Sequence, residues 1–131
     1  MMSCYSGDVN PHFGLEVTVL ITVTLLLAAA CLAPAGGKLL AHPKMQASAA
    51  RFGIPWSRYR LIGVAELAAV AGVLAGLVVP AVGVAAALGM IVLLVGALVV
   101  HRQAGDNPKD AIPAFVALGL SAAYLALLLS H

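Results

Sequence analysis

Four long apolar stretches leave this chain few ways to fold. They run from about Leu15 to Leu40, Leu61 to Val79, Ala81 to Val100 and Ala111 to Leu129. A helix of roughly 20 apolar residues matches the hydrocarbon core of a bilayer, and within lipid the backbone must satisfy its own hydrogen bonds, as a helix does. Only Pro80 separates the second stretch from the third, so these two pair as a tight helical hairpin. The other connections, 41–60 and 101–110, are longer and polar. The expected fold is all-α, an integral membrane four-helix bundle over 15–131 preceded by a polar extracytoplasmic segment, 1–14.

Composition excludes the main alternative. With 63% hydrophobic and 9% charged residues, the chain cannot coat a soluble domain with polar surface. Its 131 residues allow one domain and, with several spans, leave little for a soluble catalytic module. The net charge of +2 says little as a total, but its placement is one-sided. Lys38, Lys44, Arg51, Arg58 and Arg60 fall with the first connection, and Arg102 and Lys109 with the last. By the positive-inside rule that side is cytoplasmic, with both termini and the Pro80 turn outside. The expected location is the cytoplasmic (inner) membrane, multi-pass. The first residues carry no Lys or Arg, so a cleavable signal peptide is not expected, although Leu-Ala-Ala-Ala-Cys31 faintly resembles a processing site.

Arg51 to Leu67 reads as a membrane surface running into a span. Arg58 and Arg60 stand in the first turn of a helix, where the macrodipole disfavours cations. Their expected work, with Arg51 and Arg102, is at lipid headgroups, alongside the amphipathic rings of Trp56 and Tyr59. Glu66 lies about 9 Å deeper at roughly 1.5 Å per residue, too far for its short side chain to reach water, and needs a partner. Lys38 is the candidate, with snorkelling to the surface as the plain alternative. It follows Pro34, Gly36 and Gly37, which predict a kink or break in the first helix near 34–37. His101 falls at the same depth and either completes a polar cluster with Lys38 and Glu66 or serves the local structure alone.

Gly72 and Gly76 form a GxxxG pattern that favours close helix packing in a compact bundle. In the last connection Gly105 is a helix stop and Asp110 the expected N-cap, with Pro113 in the first turn that follows. Asp106, Asn107 and Asp110 lack metal-ligand spacing, and no metal site is expected. Cys4 is expected outside and Cys31 within a span, so they should not pair. No nucleotide loop, catalytic triad or nucleic-acid signature appears, and no catalytic residue is assigned.

Gly37-Lys38-Leu39, Arg51-Phe-Gly-Ile-Pro55, Ile62-Gly-Val-Ala-Glu-Leu67, a Gly/Ala-rich third span closing on His101, and a short Asp/Lys/Pro loop together resemble the DoxX-like family. The resemblance covers Leu15 to the C-terminus. It implies a four-helix bundle in the cytoplasmic membrane with Lys38, Glu66 and His101 as characteristic polar positions. Relatives of that family include a membrane subunit of a thiosulfate:quinone oxidoreductase, partners in oxidative-stress membrane complexes and a receptor-assembly chaperone. The leading expectation is a small accessory subunit, without activity of its own, that stabilises or assembles a larger membrane complex. The alternative is a quinone- or lipid-binding component of an oxidoreductase system, with Glu66 and His101 handling protons. Transport is a third reading, disfavoured by size. Membrane lipids and a larger complex are the expected partners, nucleic acid is not, and homo-oligomerisation stays open.

Overall fold

Glycines and prolines divide the apolar sequence into its helices. The computed structural model describes residues 11–130, with side chains from Gly14. Most of the polar lead, including Cys4, lies outside the described residues. Helix α1 (Pro11–Leu39) begins earlier than expected and passes Pro34 without interruption. Pro34 has no N–H to offer the carbonyl of Ala30, yet of the expected kink or break the break does not occur. The cause is α3 (Trp56–Ala75), which lies against this stretch so closely that a methyl group on Gly63 would stand 2.7 Å from Lys38 Cβ and 3.4 Å from the Ala35 carbonyl. Support from a neighbouring helix is what lets a membrane helix carry proline.

The first connection holds an unexpected helix, α2 (Pro43–Phe52). Its signals are local: His42 Nδ1 accepts from the Lys44 N–H, Pro43 occupies the first turn, and Gly53 follows with φ 70°. Met45, Ser48, Ala49 and Phe52 recur at helical spacing and form its inner face, while Lys44, Gln46, Ala47 and Arg51 are exposed. A short helix of mixed polarity does not register as an apolar run, which is why it reads as loop. Helix α3 spans 56–75 instead of 61–79, because Pro55 fixes its start and the chain turns at 76–79. Pro80 then opens α4 (Pro80–Gln103), a position where its missing N–H costs nothing. A 3-10 turn, Pro108–Ala111, leads into α5 (Ile112–Leu129). Asp110 is not the N-cap: Asn107 caps the 3-10 turn by accepting from the Lys109 N–H, and Ala111 precedes α5 without a side-chain cap.

The long helices form a closed ring, α1 against α3, α3 against α4, α4 against α5, and α5 back on α1. Among the described residues three segments, Gly14–Leu39, Pro80–Gln103 and Pro108–Leu129, are long and apolar enough to cross a membrane. Helix α3 carries Arg58, Arg60 and Glu66 and is set apart by those charges. The interior is built from Leu27, Cys31, Val73, Ala87, Met90 and Tyr124, with small residues at the closest contacts. Leu25, Leu26, Val92, Phe115 and Val116 face outward. An apolar exterior of this extent suits lipid and not water.

Gly72 and Gly76 make their close contact inside the chain, on α4. A methyl at Gly72 would stand 2.6 Å from Ala86 Cβ, and one at Gly76 would overlap Gly83 and the Tyr124 hydroxyl. That hydroxyl donates to the Val73 carbonyl at 2.6 Å. The carbonyl needs it, because the Leu77 N–H turns to Leu74 as α3 ends. Tyr124→Phe should therefore lower unfolding stability by about 1–3 kcal/mol, the cost of a buried acceptor left unmet. Denaturation followed through Trp56, the one tryptophan, would measure it; an unchanged midpoint would mean the carbonyl finds another donor.

Candidate functional site: a polar cavity at the basic end

Two left-handed glycines shape the site. At the end of α4, Gly105 has φ 71° and donates to the Arg102 carbonyl, while the Asp106 N–H returns to His101 at 3.0 Å. At the end of α2, Gly53 donates to Ala50 and Ile54 to Ala49 in the same pattern. Both are Schellman closures, which a Cβ-bearing residue disfavours. The first folds Asp106 back onto His101. The second turns the chain so that Phe52 meets Tyr59 and His101.

Lys38 and Glu66 do meet. Lys38 Nζ donates to Glu66 Oε1 at 2.6 Å, and both side chains are buried. The ammonium also lies 5.1 Å from the centre of the Tyr59 ring, within cation–π range. An ion pair in this setting is strong only because both partners are present; the desolvation of each charge is offset by the other. Gly63 makes the meeting sterically feasible, since a larger residue would displace Lys38.

His101 belongs to a second polar group. Its Nδ1 lies 2.6 Å from Asp106 Oδ2, and the other carboxylate oxygen of Asp106 accepts from Arg51. A carboxylate only accepts, so the contact holds a hydrogen on Nδ1 and leaves Nε2 as the nitrogen available to anything else. The Phe52 ring stands edge-on to the imidazole, with centroids 5.2 Å apart. Arg51 in turn lies 4.9 Å over the Phe52 ring.

Between the two groups is a cavity of about 420 Å³. Cys31, Lys38, Tyr59 and Glu66 line it from α1 and α3, Leu94 and His101 from α4, Ala114 and Ala117 from α5, and Met45, Ser48 and Phe52 from α2. The wall is mostly apolar with a few convergent polar groups, and the size lies in the range of small-molecule sites, roughly 300–1,000 Å³.

The sequence model of the DoxX-like family matches residues 22–124, most of the bundle and every residue of the two polar groups. This chain belongs to the DoxX-like family. DoxX-like proteins are small integral membrane proteins, in keeping with the three apolar helices. No curated protein and no solved structure matches the chain.

In this DoxX-like protein the sequence-derived positions separate into distinct surroundings. Lys38 and Glu66 are paired, and His101 shares their cavity but bonds to Asp106. Arg51, expected at headgroups, is engaged with Asp106, and Tyr59, expected at the interface, is buried beneath Lys38. Trp56 is half-buried, its ring 5.9 Å from that of Tyr59. Arg58, Arg60 and Arg102 are exposed, and Arg60 also reaches the Leu39 carbonyl at 3.4 Å. Sequence reasoning missed Phe52, Gly63 and Asp106 as site residues of the DoxX-like cavity. Gly63 was legible only in retrospect, since a glycine three residues before a buried acid shows nothing until the opposing helix is in place.

Proposed function

We propose that this chain is a membrane-embedded binding protein for a small amphipathic molecule, of quinone or lipid type, held in the cavity between the Lys38–Glu66 pair and His101. All four long helices cross the cytoplasmic membrane in this reading, with the termini outside and the cavity at the cytoplasmic end, where every Lys and Arg resides. The observation that carries it is the cavity itself. An apolar space of about 420 Å³ bordered by buried charged groups is costly to maintain for packing alone. Glu66 and His101 are its proton-handling groups, His101 with Nδ1 anchored and Nε2 left to a ligand.

The accessory-subunit reading keeps one observation of its own: no buried side-chain nitrogen or oxygen among the described residues lacks a hydrogen-bond partner. A cluster satisfied internally can serve as glue within the bundle, leaving the outer apolar faces to a larger complex. Purification in mild detergent, with mass spectrometry of proteins and of extracted small molecules on one eluate, separates the two. The expected result is near-stoichiometric quinone or lipid that falls away in Glu66→Gln. A stoichiometric larger membrane protein with no retained small molecule would overturn the binding reading and favour the accessory one.

A further inference from the structure

We propose that α2 is a lid on the cavity, and that the Arg51–Asp106 ion pair is its latch. The proposal rests on the cavity as binding site and concerns how a ligand reaches it from the aqueous side.

Four observations converge. First, α2 presents Met45, Ser48 and Phe52 to the cavity and its charged residues to the outside, so it stands between the two. Second, it is held lightly: Ala49 is its one buried residue, in contrast to the long helices of the ring. Third, left-handed residues flank it on both sides, Ala41 with φ 56° and Gly53 with φ 70°. Alanine disfavours that conformation because its Cβ crowds the following carbonyl, so the link from α1 gains when Ala41 relaxes. Fourth, the C-terminal end of α2 is fastened to the loop that follows α4 at one ionic contact, where Arg51 meets Asp106 and Phe52 enters between Tyr59 and His101.

The latch is asymmetric in a useful way. The Asp106 side chain is 4% exposed, whereas that of Arg51 is 46% exposed. Asp106 stays fixed to His101 while Arg51 can leave into water at small cost. Opening then moves Arg51 and Phe52 together, because the guanidinium lies over the ring. It withdraws the edge contact from His101 at the same moment. Access and the surroundings of the imidazole change as one event.

Cys31 lines the cavity and is buried, which makes it a reporter. In a Cys4→Ser background, its modification by a charged, membrane-impermeant methanethiosulfonate reads entry from the aqueous side. Slow labelling is expected for the parent protein, about three- to fivefold faster labelling for Arg51→Gln, and parent-like labelling for Arg51→Lys. Raising salt to about 1 M shortens the screening length to roughly 3 Å and should speed the parent but not Arg51→Gln. Equal rates in all three proteins at both salt concentrations would overturn the lid, as would parent labelling as fast as that of the denatured chain. Protection by a fully ring-substituted decyl benzoquinone is scored separately. Loss of protection with the rate differences intact would count against the quinone as occupant and leave the lid standing.

Discussion

Lys38→Met should destabilise the bundle by about 3–5 kcal/mol and Glu66→Leu by less, whereas the double variant should return to within about 1 kcal/mol of the parent. The two side chains meet at 2.6 Å and are both about nine-tenths buried. Either single change leaves a charge in a low-dielectric interior with its counter-ion gone, and that charge must be neutralised or dragged toward water. The double change removes both desolvation penalties and substitutes apolar groups of comparable volume. Glu66→Leu should be the milder single variant, because the long stem of Lys38 in the last turn of α1 can extend toward the surface. Glu66 is short and eleven residues into α3, without that escape. Additive effects in the double-mutant cycle would mean that the two groups find other partners and that the pair is incidental.

Gly76→Ala should cost about 3 kcal/mol or more, while Gly89→Ala should be neutral or stabilising by up to about 1 kcal/mol. A methyl group at Gly76 would fall on the Gly83 backbone and on the Tyr124 hydroxyl. Backbone cannot move aside as a flexible side chain can, so α3 and α4 must part, and the Tyr124 bond to Val73 goes with them. At Gly89 nothing lies within 4 Å, and alanine simply favours the helix. Thermal unfolding of the two variants in the same detergent decides it. Equal midpoints would show that the α3–α4 contact is looser than the geometry indicates.

The parts of this fold that were legible in sequence are those set by bulk solvation. Four long helices, the Pro80 turn and the collection of every cation at one end follow from apolar run length and charge placement. Glu66 announced its need for a partner because a buried carboxylate always has one, and Lys38 was the cation at matching depth. What escaped depended on rotation and closure, which hydropathy does not encode. Arg51 and Tyr59 looked like headgroup residues because their sequence neighbours are basic and aromatic. Their actual contacts are set by Gly53, whose left-handed turn sends the end of α2 inward. Asp106 showed only an acid without metal-ligand spacing, and the Schellman closure at Gly105 put it on His101. Pro34 signalled a kink or a break, and α1 is unbroken there, with the flank of α3 packed against it.

The Tyr124–Val73 hydrogen bond also bears on how such a chain could enter a bilayer. In the proposed topology, the end of the bundle that must be translocated has no Lys or Arg, and there the buried Tyr124 hydroxyl and the Val73 carbonyl satisfy each other's hydrogen-bonding demand. Asp and Glu weigh little in that process. The ionic contacts, Lys38 with Glu66 and Arg51 with Asp106, assemble at the end that never crosses. Biogenesis then needs no charged pair to be carried through hydrocarbon, and the costly electrostatics can form last, after the four helices are already threaded.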